Sequence, residues 1–118
     1  MFAIDFQSRI PIYEQIVSQV ERFIVSGILK SNEQLPSVRQ IAFDLGINPN
    51  TIQRAYAELE RKGIIISAIG KGSFVTDNIH PIVDKKIDDI VDGVKNSIDI
   101  LKKLGLNNKQ IQEKLFKD

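Results

Sequence analysis

The chain has no cysteine and a single histidine in its 118 residues. Without cysteine there is no disulfide framework, no thiolate metal site and no thiol nucleophile, and residence inside the cell is the natural expectation. With His80 alone, no nucleophile can be matched to an imidazole base steadied by a third group, and no serine or lysine motif takes its place. Enzymatic function is therefore not expected. Nor is a cofactor or a metal: Asp77 and Asp84 lie near His80, but a loop running into Pro81 is a poor frame for three fixed ligands. Long apolar runs are missing too. Nothing approaches the roughly 20 residues of a membrane span, and Met1-Phe2-Ala3-Ile4-Asp5-Phe6 lacks the basic start and apolar stretch of a secretion signal. The expectation is a cytoplasmic chain with no membrane partner.

An excess of positive charge is also absent. Lys and Arg number 16 against 15 Asp and Glu, a net charge of +1, and the sequence pI of 7.9 lies below the value of about 9 usual for a basic nucleic-acid-binding domain. The charge is nevertheless unevenly placed. Between Arg61 and Thr76 stand Arg61, Lys62 and Lys71 with no anion, and Arg39 and Arg54 lie shortly before them. One cationic face suffices to meet a polyanion. The length supports one domain and an appendage of a few helices, not a multi-domain enzyme.

What is present is a series of capped helices. Pro11 suits a first helical turn, and Tyr13, Ile16, Val17, Val20, Phe23 and Ile24 follow at helical spacing, predicting a helix from Pro11 to Ser26 stopped by Gly27. Ser31 to Gln34 reads as a polar connector. Ser37 is a good N-cap for a short helix with the stripe Val38, Ile41, Ala42 and Leu45, ended by Gly46. Asn48 caps the next helix, Pro49 fills its first position, and Ile52, Ala55, Tyr56 and Leu59 face inward until Gly63. Only Gly46-Ile47-Asn48 separates the two, the short turn of a helix-turn-helix. Ile64-Ile65-Ile66 and Ser73-Phe74-Val75-Thr76 then read as strands around a Gly70-Lys71-Gly72 tip. The fold class expected is mainly α with a small β-hairpin (α+β): a winged helix-turn-helix over residues 1–77 and a two-helix tail over residues 78–118.

On a helical wheel of about 100° per residue, Asn50, Gln53, Arg54, Ala57 and Arg61 fall opposite the apolar stripe, with Thr51 at the border. Asn and Gln pair bidentately with adenine, Arg with guanine, and Thr with phosphate or a thymine methyl. Because the N-terminal half of a recognition helix enters the major groove, Asn50, Thr51 and Gln53 are the base-reading candidates, and Arg54 is a base or a phosphate contact. Ser37 opens a helix whose free amides suit a phosphate, Arg39 lies one turn in, and at the wing Gly72 lets backbone approach the sugar-phosphate rim beside Lys71. Each of these is also what a solvated helix face or a plain hairpin looks like. Their order along the chain is what makes them informative.

Taken together, Ile12-Tyr13-Glu14-Gln15-Ile16, Leu35-Pro36-Ser37-Val38-Arg39, Asn48-Pro49-Asn50-Thr51 with Arg54-Ala55-Tyr56, and Gly70-Lys71-Gly72-Ser73-Phe74-Val75 resemble the DNA-binding domain of the GntR family of bacterial transcription regulators. The likeness runs from Ile10 to Val75, over half the chain. The short helical tail is similar to that of the YtrA subfamily, which carries a two-helix dimerisation unit in place of a large effector domain. The resemblance implies that Arg39, Asn50, Thr51, Gln53 and the Lys71-Gly72 tip meet operator DNA, and that the controlled genes include an ABC-type transporter. Two positions depart from the pattern. Asn32 stands where relatives usually have glycine, which Asn tolerates because it visits left-handed geometry, and Ala68-Ile69 stand where relatives often have basic residues.

In the tail, Pro81 is expected to open a long helix after His80, with Val83, Ile87, Ile90, Val94, Leu101 and Leu104 at alternating spacings, Ser97 interrupting the row and Gly105 ending it. A last helix is expected from Asn107 to Phe116. The stripe either folds back on the first helix or packs against a second copy, and its four-and-three spacing suits a partner helix. The expected partners are thus double-stranded operator DNA and a second copy of the chain, in a dimeric repressor on an inverted repeat; the effector is left open. The rival is a protein-interaction module that uses the winged helix as scaffold and the long helix as working surface.

Overall fold

The computed structural model describes residues 1–117. The elements run α1 (Ile12–Val25), α2 (Val38–Leu45), α3 (Pro49–Arg61), β1 (Ile65–Ala68), β2 (Gly72–Val75), α4 (His80–Lys103) and α5 (Asn108–Leu115). This is the mainly helical chain with one small antiparallel hairpin that the sequence predicts. Its residues fall into two compact units, Met1–Val83 and Asp84–Asp118.

The core of the first unit collects the inward stripe of each helix. Ile16, Val17, Val20 and Ile24 come from α1, Ile41 and Ala42 from α2, and Ile52, Ala55, Tyr56 and Leu59 from α3, with Leu29, Leu35, Ile64, Ile65 and Val75 closing it. α3 is the central element, packed on α1, α2 and β1. Ile79 and Ile82 also pack on this core, so the first unit keeps the first turn of α4.

Helix starts follow the local chemistry. Ser37 Oγ accepts from the Gln40 N–H at 3.0 Å, and Asn48 Oδ1 accepts from the Asn50 N–H at 2.8 Å. Asn107 and Gln110 bond reciprocally at the start of α5, as a capping box does. Several boundaries shift by a residue or two from expectation. Pro11 is the N-cap of α1 with extended backbone, so the helix begins at Ile12. Ile64 lies just ahead of the first strand: its N–H bonds the Leu59 carbonyl at 2.9 Å, closing α3 through Gly63 at φ +75°, while its carbonyl accepts from the Thr76 N–H at 3.0 Å. The strands therefore begin at Ile65, Gly72 pairs with Ala68, and the tip is Ile69-Gly70-Lys71. α4 begins at His80, one residue before the expected start, with Asn78 Oδ1 accepting from the His80 N–H and Pro81 in the first turn, where its missing donor costs nothing.

The N-terminal segment carries no regular structure but is firmly placed. The stretch before α1 lies along that helix, where Gln19 accepts from the Ala3 N–H and donates to its carbonyl, and Gln15 does the same for Asp5 while also donating to the Ile10 carbonyl. Phe2 meets Phe23 with ring centroids 6.0 Å apart. Among the described residues, no helix is long and apolar enough to cross a membrane.

Candidate nucleic-acid interface

The N-terminal half of α3 presents a strip of uncommitted polar groups. Asn50 and Gln53 are exposed, Thr51 is half-buried at the border, and Ile52, Ala55, Tyr56 and Leu59 are buried beneath them. Several amide side chains elsewhere are used internally: Gln15, Gln19, Gln34 and Gln40 are all hydrogen-bonded. Among the described residues the Asn50 and Gln53 amides have no such partner, so their donors and acceptors are free for an external edge.

The register between α2 and α3 is held by Tyr56. Its hydroxyl donates to the Pro36 carbonyl, directly ahead of the Ser37 cap. Burial holds the phenol well above its usual pKa, so it remains a donor throughout the physiological range. Tyr56→Phe removes that donor while keeping the ring, and is expected to lower stability by about 1 kcal/mol. A urea melt checks this, and an unchanged midpoint with unchanged slope would show that the bond holds nothing.

The wing is tied to the polar connector that precedes α2. The Leu35 N–H bonds the Ser73 carbonyl at 2.8 Å and the Val75 N–H bonds the Glu33 carbonyl at 2.8 Å, extending the hairpin by an irregular third edge. Asn32 takes a left-handed φ of +66°, a geometry that asparagine tolerates. Gln34 Nε2 donates to the Lys71 carbonyl at 2.9 Å and lies over Gly72. Gly72 has φ +107°, and an added Cβ would stand 2.8 Å from Gln34 Nε2. Gly72→Ala therefore combines backbone strain with displacement of Gln34, and a loss of about 1–3 kcal/mol is expected in a thermal melt. The same change in a Gln34→Ala background should retain only the strain; an equal loss in both would exclude the contact.

Of the cations counted near the wing, two are spoken for. Arg61 makes a bidentate pair with Glu58, and Lys62 reaches Glu21 on α1 at 3.4 Å. The Arg61 hydrogen bond holds the Glu58 carboxyl below its ordinary pKa, and the same bond raises that of Arg61. Arg39, Arg54 and Lys71 are exposed and make no ion pair among the described residues. Arg54 is not directed away from the body as the wheel suggests. Its guanidinium carbon lies 3.9 Å from the ring centroid of Tyr13 on α1, a contact that local periodicity does not reveal. Ser37 is exposed with its hydroxyl committed to the cap, so what it offers a ligand is the start of α2.

A helix-turn-helix with a free polar strip on its second helix, and a glycine-tipped wing fastened beside it, is the architecture that the family comparison recognises. The profile of the gntR family of bacterial regulatory proteins matches residues 12–75. The chain belongs to the GntR family. Its helix-turn-helix is thus the DNA-binding domain of a transcription regulator, and the family is not one of enzymes. The HTH-type transcriptional repressor YtrA of Bacillus subtilis (strain 168) is 46% identical over 78 residues, covering 66% of this chain and 60% of that protein. The HTH-type transcriptional regulator YhcF of the same organism is 37% identical over 111 residues, 92% of this chain and 89% of that one. In three dimensions this GntR regulator is similar to the crystal structure of a transcriptional regulator from Oenococcus oeni, with TM-score 0.86 and 31% identity over 98% of this chain and 96% of that chain.

In the second unit, Ile111 is buried and Ile98, Leu101 and Leu106 are half-buried. α4 itself has no fully buried residue. Ile87, Ile90 and Val94 are 51%, 58% and 50% exposed, and Leu104 is 72% exposed. Val91, 42% exposed, belongs to the same strip at i, i+3, i+4 and i+7. Ile98 and Leu101, both half-buried, continue the row toward the end of α4. Val83 is half-buried at the end of the first unit.

Proposed function

We propose that this GntR-family regulator is a cytoplasmic, dimeric repressor that binds an inverted-repeat operator. Asn50, Thr51 and Gln53 read base edges in the major groove, while Arg39, Arg54, Lys71, the amides at the start of α2 and the backbone at Gly72 hold phosphate and sugar. The carrying observation is the pair of exposed, unbonded amides, Asn50 and Gln53, in the N-terminal half of the second helix of a helix-turn-helix. With Arg39, Arg54 and Lys71 as its cationic contacts, the domain depends more on base contacts, and less on bulk charge, than a strongly basic DNA binder does.

The exposed apolar strip of α4 supports the dimer, with Val83, Ile87, Ile90, Val94, Leu101 and Leu104 as its proposed seam and residues 78–118 as its dimerisation tail. A second copy would bury a surface that water otherwise contacts, and a two-fold axis would present two α3 helices to half-sites roughly 10 base pairs apart. Repression is the role named for YtrA, and genes for an ABC-type transporter are the first targets to consider. The test is to pass sheared genomic DNA over the purified protein and sequence what is retained. Fragments sharing an inverted repeat near a promoter are expected; fragments without a common sequence would contradict specific reading.

A further inference from the structure

We propose that Tyr13 is a positioning residue for DNA binding: its ring holds the Arg54 guanidinium against α1, so that the N–H donors are presented to a phosphate. The inference rests on the DNA-binding reading above. Tyr13 belongs to the Ile12-Tyr13-Glu14-Gln15-Ile16 stretch, and its ring packs at the core edge while remaining only half-buried. The guanidinium carbon of Arg54 is 3.9 Å from that ring's centroid. Stacking occupies the face of a guanidinium, whereas its five N–H groups lie in the plane, so a stacked Arg54 retains the fork that grips a phosphate.

A carboxylate partner would have consumed those donors. The acid one turn along α3 is Glu58, and both its oxygens are taken by Arg61. The acid beside Tyr13 is Glu14, whose carboxylate accepts the Tyr13 hydroxyl at 3.1 Å. Arg54 is thereby held by an uncharged surface that restricts its rotamers without neutralising it. A freely rotating arginine would have to be ordered on binding, and pre-placement removes part of that loss.

The experiment uses the full chain and a fluorescein-labelled duplex taken from the genomic fragments the wild type retains, titrated by anisotropy over a series of potassium chloride concentrations. Arg54→Ala is expected to reduce the steepness of the salt dependence by about 0.9, the share of one phosphate contact. Tyr13→Leu is expected to weaken binding about two- to five-fold in the wild-type background and not at all in the Arg54→Ala background. Tyr13→Phe, which keeps the ring, should bind as wild type. Arg54→Lys, at an exposed site where folding is not at risk, keeps the charge without the plane; it should weaken binding by a similar about two- to five-fold factor and keep the wild-type salt dependence. An equal loss from Tyr13→Leu in both backgrounds, a Tyr13→Phe as weak as Tyr13→Leu, or a fully active Arg54→Lys would overturn the proposal while leaving the DNA reading intact. A wild-type chain that retains no duplex overturns both.

Discussion

Replacing Asn50 and Gln53 together by alanine is expected to abolish discrimination between operator and unrelated DNA while leaving weak, salt-sensitive binding in place. Each bidentate amide contact contributes about 1–3 kcal/mol of preference for its base, so losing both removes most of what separates a specific site from any other. Neither side chain supports the fold: both are exposed, and the buried stripe of α3 runs beneath them. Arg39, Arg54 and Lys71 are untouched, and binding to the phosphate backbone should persist. Anisotropy titrations on a retained duplex and on a scrambled one make the comparison. A proportional loss on both sequences would move Asn50 and Gln53 from base reading to backbone holding.

The second large effect concerns the tail. Val94→Asp places a carboxylate within the exposed strip of Ile87, Ile90, Val91 and Val94. On a solvated helix this change is close to neutral, but within an apolar seam two such charges, one from each copy, would have to be desolvated. Dissociation to monomers is expected by analytical ultracentrifugation. Operator affinity is expected to fall by about 10²–10⁴-fold, the gain that joining two half-site readers supplies, while the helical content seen by circular dichroism stays unchanged. A Val94→Asp chain that stays dimeric would place the contact elsewhere.

Much of the fold was legible because its signals are local. The caps at Ser37, Asn48 and Asn107, the apolar stripes of α1 to α3 and the glycine stops each lie within a few residues of the structure they determine. Even the errors at helix and strand ends trace to short-range competition, as when the Ile64 N–H closes α3 instead of opening the hairpin. The Glu58 and Arg61 pair was also within reach, since i, i+3 spacing on a helix announces it. What the sequence did not reveal is contact between distant residues. Gln34 touches the wing 37 residues away, Gln19 fixes the backbone of Ala3, and Arg54 finds Tyr13 across two helices. A glutamine committed to such a bond and one left free for a ligand look the same in sequence. Only the fold separates Gln34 from Gln53, and that separation carries the functional reading.

That reading is tested most directly by substituting single purines of a retained operator with their 7-deaza analogues, which lack the major-groove N7 acceptor, and measuring the affinity of the wild type and of the Asn50→Ala, Gln53→Ala double variant. Loss is expected at one or two purines in each half-site, placed symmetrically about the centre, and those same substitutions should have no effect on the double variant. An operator indifferent to every N7 deletion, bound equally by both proteins, would contradict it.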